Sequence, residues 1–124
     1  MTDKNVFVHK DALLQENSHE FYHAHVYFDE TTLPLATQLC QQAANLFNLK
    51  LGRIHQKLVG PHPKWSCQLA FTQVEYDELL HWLNKNRQGL SILIHADTGK
   101  DFQDHTEYAS WLGVPLVLNL AVFR

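Results

Sequence analysis

A chain of 124 residues is the size of one domain and can bury about two-thirds of its unfolded surface without staples. Its formal charge of -3, with acidic and basic residues mixed along the chain, leaves no basic stripe to track a phosphate backbone, which excludes nucleic acid as an expected partner. The opening MTDKNVFVHK is charged where a signal peptide needs an apolar run, no segment approaches the ~20 apolar residues of a membrane span, and Cys40 and Cys67 form no CxxC; a soluble cytoplasmic protein with reduced thiols and no membrane partner is expected.

Residues 1–20 are polar and without periodicity, and read as an N-terminal arm ahead of a single domain over 21–124. Tyr22–Asp29 alternates, with His23, His25 and Tyr27 on one side and Ala24, Val26 and Phe28 on the other, as a strand requires. Thr31–Asn48 carries Leu35, Leu39, Ala43, Leu46 and Phe47 at spacings of three and four, with Thr31 or Thr32 to cap it and Pro34 in its first turn; this predicts an amphipathic helix stopped at Gly52. RIHQKLV follows as a second strand, broken by GPHP, and WSCQLAFT as a third. Glu75–Arg87 holds Leu79, Leu80, Trp82 and Leu83 among charges and ends near Gly89, a second helix, and SILIHAD is a fourth strand. A final short strand is expected around Pro115–Val122.

The order βαββαβ predicts an α+β fold of ferredoxin-like type, with helices on one face of an antiparallel sheet and a C-terminal extension. In that layout Ala24, Val26, Phe28, Ile92, Ile94 and Ala96 face the helices. His23, His25 and His95 then share the opposite face, because the first and fourth strands are neighbours. His55 joins them if the register of the second strand holds. A functional face left open on so small a fold is expected to be covered by the C-terminal segment or by a second copy, as in a homodimer.

Nine histidines in 124 residues is the compositional anomaly, and they are dispersed along the chain instead of forming a tag. Imidazole is the commonest nitrogen ligand for zinc, iron and copper, and His23-Ala-His25 on a strand lets two rings reach one ion from the same side. His95 is the nearest third ligand, and three protein ligands leave the open positions that catalysis needs. An HxH pair alone fits an exposed or packed sheet face equally well. His62, held between Pro61 and Pro63, is suited to substrate or acid-base work more than to ligation. In HADTGKDFQDH, His105 is a fourth ligand or a general base; Asp104 or Glu107 would orient a ring, although turn and capping chemistry explains the aspartates as well. Tyr27 and Trp65 would wall a pocket for a flat substrate if they share the histidine face, while core packing is the simpler reading for Trp65, Trp82 and Trp111.

FYHAHVYFD, LGRIHQKLVGPHP, WSCQLAF, LNKNRQGLSILIHADTG and DHTEYASWLG, in this order, resemble the small DOPA 4,5-dioxygenase family of extradiol-type ring-cleaving proteins from about Phe21 to about Leu120. The fourth strand ends in HAD where the family pattern has HP, a change in the turn. The resemblance implies a non-haem Fe(II) enzyme that opens a catechol ring with O2, and marks His23, His25, His55, His62, His95 and His105 as lining its site. Within that set His23, His25 and His95 are assigned as metal ligands, and His55, His62 and His105 as acid-base or substrate-orienting residues. Zinc would compete for the same nitrogens in recombinant protein. A metal- or small-ligand-binding module without turnover is the alternative, and Arg53 and Lys64 are the candidates for meeting a substrate carboxylate.

Overall fold

The computed structural model describes residues 17–124, so most of the expected N-terminal arm lies outside the described residues. Where the description begins, the chain is already tied down. Asn17 Nδ2 donates to the Gln73 carbonyl at 3.0 Å, and Gln73 N donates to the Glu20 carbonyl at 2.9 Å.

Five strands and two long helices follow: β1 (Phe21–Phe28), α1 (Leu33–Phe47), β2 (Lys50–His55), β3 (Trp65–Thr72), α2 (Tyr76–Asn86), β4 (Ile92–Ala96), a single turn α3 (Asp101–Asp104) and β5 (Ala109–Leu112), with a terminal 3-10 turn at Leu120–Phe123. The sheet order is β2-β3-β1-β4-β5 and every pairing is antiparallel. This is the ferredoxin-like α+β arrangement, with β5 added outside β4. The core lies between the helices and one face of the sheet, where Tyr22, Ala24, Val26 and Phe28 of β1 meet Leu69 and Phe71 of β3 and Ile92, Ile94 and Ala96 of β4. Both apolar rows expected on that face are there.

Helix α1 starts because Asp29 gathers the turn before it: its Oδ1 accepts from Thr31 Oγ1, Thr32 N and Thr32 Oγ1 at 2.7, 3.0 and 3.0 Å. Those bonds hold the exposed carboxyl down at about 2. The helix stops at Asn48, in the left-handed region at φ 54, not at Gly52. The second strand therefore begins earlier than the apolar pattern implies and ends at His55, before the predicted QKLV half. Gly52 falls inside β2 at a bulge between Leu51 and Ile54, so close to β3 that a Cβ would lie 3.2 Å from the Gln68 carbonyl oxygen.

Three other expectations are corrected. The last strand is Ala109–Leu112, not Pro115–Val122: Gly113 turns out of the sheet at φ +79, and Pro115 supplies no N–H to a ladder. Cys40 and Cys67 are joined as a disulfide instead of standing as separate reduced thiols. Both sit on inward faces, of α1 and β3 respectively, a proximity that sequence spacing does not report. Trp111 belongs to the opposite face from the core, as described below. Among the described residues, no helix is long and apolar enough to cross a membrane.

Gly113 offers a direct test of the sheet edge. A Cβ there would come within 2.6 Å of Arg87 Nη1 and 3.1 Å of the Leu90 carbonyl oxygen, on a backbone already at positive φ. Gly113→Ala is expected to cost about 1–3 kcal/mol in urea unfolding; parent-like stability would mean that the β4–β5 edge is laxer than described.

Candidate metal centre

Period-two alternation along β1 sends His23, His25 and Tyr27 to the face away from the helices. Register then decides what meets them. His23 stands opposite His95 of β4 and Ala70 of β3, His25 opposite Leu93 and Gln68, and Tyr27 opposite Ser66. His55 pairs with Ser66 from the other side of β3, which puts it on the same face.

Strand pairing alone brings three imidazoles together. One ring nitrogen of each of His23, His25 and His95 lies within 4.8 Å of the others, and His25 Nε2 is 2.9 Å from His95 Nε2. Ring centres are 5.3 Å apart for His23 and His95 and 5.9 Å for His23 and His25. Two loops then close over the strands. The GPHP loop curls across the face and sets His62 over His25 at 4.2 Å between ring centres, and α3 sets His105 over His95 at 4.1 Å. Five of the six expected histidines thus form one cluster. His55 stands at its margin, acting on it by charge repulsion with His62, and lines with Arg53, Lys57 and Val59 a cleft of about 460 Å³.

Burial governs the protonation of the cluster. Desolvation, followed by repulsion from His62, His95, His23 and His105, holds His25 well below the ordinary imidazole range. Desolvation and then His105 lower His95 to about 3, although its bond to Ala96 works against the shift. Desolvation, then His105 and His55, take His62 down to about 4. His23 is also lowered: burial depresses it while the Asp97 carboxylate, 3.5 Å from its Nε2, opposes the change. Neutral rings keep a lone pair for a metal.

The main chain orients two of these rings. His95 Nδ1 donates to the Ala96 carbonyl at 2.7 Å and His105 Nδ1 to the Asp101 carbonyl at 2.8 Å; each neutral ring is left with a bare Nε2. The donor set fits a divalent transition metal. His25 Nε2 and His95 Nε2, 2.9 Å apart, are close enough that both rings could turn to one shared ion. His23, His25 and His95 are the residues that would hold it, with Asp97 beside His23.

The carboxylates divide differently from expectation. Asp104 is buried and accepts from Thr98 N at 2.9 Å and Thr98 Oγ1 at 2.6 Å, so it braces the turn after β4 instead of orienting a ring. The aromatic walls also change identity. Trp65 lies on the helix side against Phe28, and Trp82 packs on Phe47. Trp111 is on the histidine face, stacked on Tyr27 at 5.8 Å. Phe123 of the terminal turn covers His105 at 4.7 Å, and Asn119 N donates to the Pro61 carbonyl at 2.8 Å, so the C-terminal segment reaches over the face. Sequence reasoning missed Phe123 because nothing local marks it, and undervalued Trp111 because the last strand was placed too late.

The model of the Dopa 4,5-dioxygenase family matches residues 22–122. A DOPA 4,5-dioxygenase of Amanita muscaria is 28% identical over 109 residues, covering 81% of this chain and 48% of its own length. An uncharacterized 21.2 kDa protein of Botryotinia fuckeliana is 31% identical over 84 residues, covering 61% and 46%. The chain therefore spans about half the length of these curated relatives. A crystal structure of a Nostoc punctiforme protein, provisionally named a dioxygenase, superposes with a TM-score of 0.83 at 39% identity, over 90% of this chain and 96% of that one. The family match runs from β1 through the C-terminal segment and so takes in all five clustered histidines: the chain belongs to the Dopa 4,5-dioxygenase family.

Proposed function

We propose that the protein is a non-haem iron extradiol dioxygenase that opens the ring of a DOPA-like catechol with O2. The observation that carries this reading is the convergence of His23, His25 and His95 on one point of the sheet face away from the helices, with His62 and His105 above them. Ferrous iron would supply the chemistry that lets a catechol react with O2; zinc in its place would fill the same nitrogens without that reactivity. The protein's own residues bind, orient and move protons. Two extra histidines beside a three-nitrogen seat suit a reaction that begins by removing a phenolic proton. Trp111, half-buried on the same face and backed by the buried Tyr27, offers flat apolar surface to an aromatic ring. Both oxygen atoms of O2 end in the ring-opened product, so no outside reductant is required.

In this reading residues 21–124 work as one catalytic domain, in a homodimer that would cover exposed apolar side chains such as Leu58, Val114 and Val117. The test is anaerobic loading with Fe(II), then air and a panel of catechols with and without a carboxylate side chain. Iron-dependent oxygen uptake with a new yellow absorbance is expected. Stoichiometric metal without uptake on any catechol would overturn the dioxygenase and leave a metal-binding module.

A further inference from the structure

Tyr27 and His62 meet between β1 and the GPHP loop, with Tyr27 Oη 2.7 Å from His62 Nδ1 and both groups buried. The direction of this hydrogen bond follows from what else is within reach. The hydroxyl carries one proton, the residue is only 2% exposed, and among the described residues its oxygen has His62 Nδ1 as its partner. Were Nδ1 the donor, the hydroxyl proton would be buried without an acceptor, at a cost of about 1–3 kcal/mol. If the hydroxyl donates, its proton and the ring's lone pair are both satisfied, and the neutral imidazole carries its hydrogen at Nε2.

That is the reverse of the arrangement at His95 and His105. Both of those rings donate from Nδ1 to carbonyls, which only accept, and both are left with a bare Nε2. A bare nitrogen can take a metal or a proton, whereas a ring nitrogen bearing hydrogen can only donate it. The partners of the Nδ1 atoms therefore set His62 apart from His95 and His105, which proximity alone does not.

We infer that Tyr27 is a positioning residue: its hydroxyl holds His62 in the Nε2–H form and makes that ring the hydrogen-bond donor of the site instead of a metal ligand. The pair is fixed from both sides. Tyr27 is stacked on Trp111 and its main-chain N–H is bonded to the Ser91 carbonyl at 3.0 Å. His62 N donates to the Val59 carbonyl at 3.1 Å, in a loop further anchored through Pro61 to Asn119. For turnover, the consequence rests on the dioxygenase reading above: His62 offers its N–H to a substrate oxygen.

The experiment reads the tautomer directly. Long-range 1H–15N spectra of labelled, zinc-loaded protein at about pH 8, where histidines are neutral, are recorded for wild type, Tyr27→Phe and His62→Gln, the last to identify the His62 signals. A pyridine-type Nδ1 and a pyrrole-type Nε2 are expected for His62 in the wild type. Tyr27→Phe keeps the ring against Trp111 but should move both nitrogens to averaged shifts, and in the iron-loaded enzyme lower kcat about 10–100-fold with KM little changed. A pyrrole-type Nδ1 in the wild type overturns the inference with no variant needed, as do unchanged His62 shifts in a folded Tyr27→Phe. The expected tautomer together with no oxygen uptake on any catechol would uphold the Tyr27 assignment and overturn the dioxygenase reading.

Discussion

Replacing His25 with alanine is expected to cost at least about 100-fold in iron-dependent oxygen uptake, at or beyond the top of the 10–100-fold range seen when the partners of metal ligands are removed. His25 is buried in the middle of the cluster, with its Nε2 2.9 Å from that of His95, His62 over its ring and His23 beside it. Its neighbours across the strands, Leu93 and Gln68, carry no imidazole to replace it. His23 differs. It is half-buried, and the Asp97 carboxylate 3.5 Å from its Nε2 is a ready oxygen ligand, so His23→Ala should lose less than His25→Ala. His55→Ala, at the margin, should keep its metal and change turnover only. Bound iron after dialysis, measured beside oxygen uptake, separates these cases, and His25→Gln with a circular dichroism check guards against simple misfolding. Full metal and wild-type uptake in His25→Ala would place the metal seat elsewhere.

Why so much of this site is readable from sequence, and where reading fails, has a physical explanation. Period two on a strand is rigid, so His23, His25 and Tyr27 must share a face once β1 is recognised, and the βαββαβ order makes β4 its neighbour. That His95 shares a face with the His23/His25 pair follows from those two facts, while the register that sets it opposite His23 does not. The helix–sheet core is legible for the same reason. Loops obey no such period. His62 joins the cluster because the GPHP loop folds back across the face, held by Val59 and Asn119, and neither partner is marked in the sequence. Trp111 was hidden by a shift of the last strand, since an apolar run such as VPLVLNLAV resembles a strand even when Gly113 and Pro115 forbid its pairing. The Cys40–Cys67 link depends on the packing of α1 against β3, a tertiary fact. Residue roles are harder still. Whether an imidazole ligates or donates depends on what its second nitrogen touches, and at His95 and His105 that partner is a backbone carbonyl, which residue type does not encode.

The same crowding makes the metal-free protein sensitive to acid. His62 has its pKa lowered from 6.5 to about 4, chiefly by desolvation, and His95 is lowered from 6.5 to about 3. Between those values and 6.5 the unfolded chain binds protons that the folded chain refuses. Unfolding therefore becomes easier as pH falls: stability is complete above 6.5 and is lost progressively toward the folded values. His62 alone accounts for at most about 3 kcal/mol of that loss, at 1.36 kcal/mol per unit. Urea midpoints of chelator-treated protein, flat at neutral pH and above, should fall steeply below about 6, and His62→Gln should remove part of the slope. Bound metal opposes the effect, because it occupies lone pairs that protons would otherwise take; the loaded protein should hold its midpoint to lower pH and then lose metal and fold together. A chelated protein whose midpoint does not move between neutral pH and the carboxylate range would show that acid reaches these rings without cost. The cluster would then be an open, solvated surface and not the enclosed seat from which the chemistry is argued.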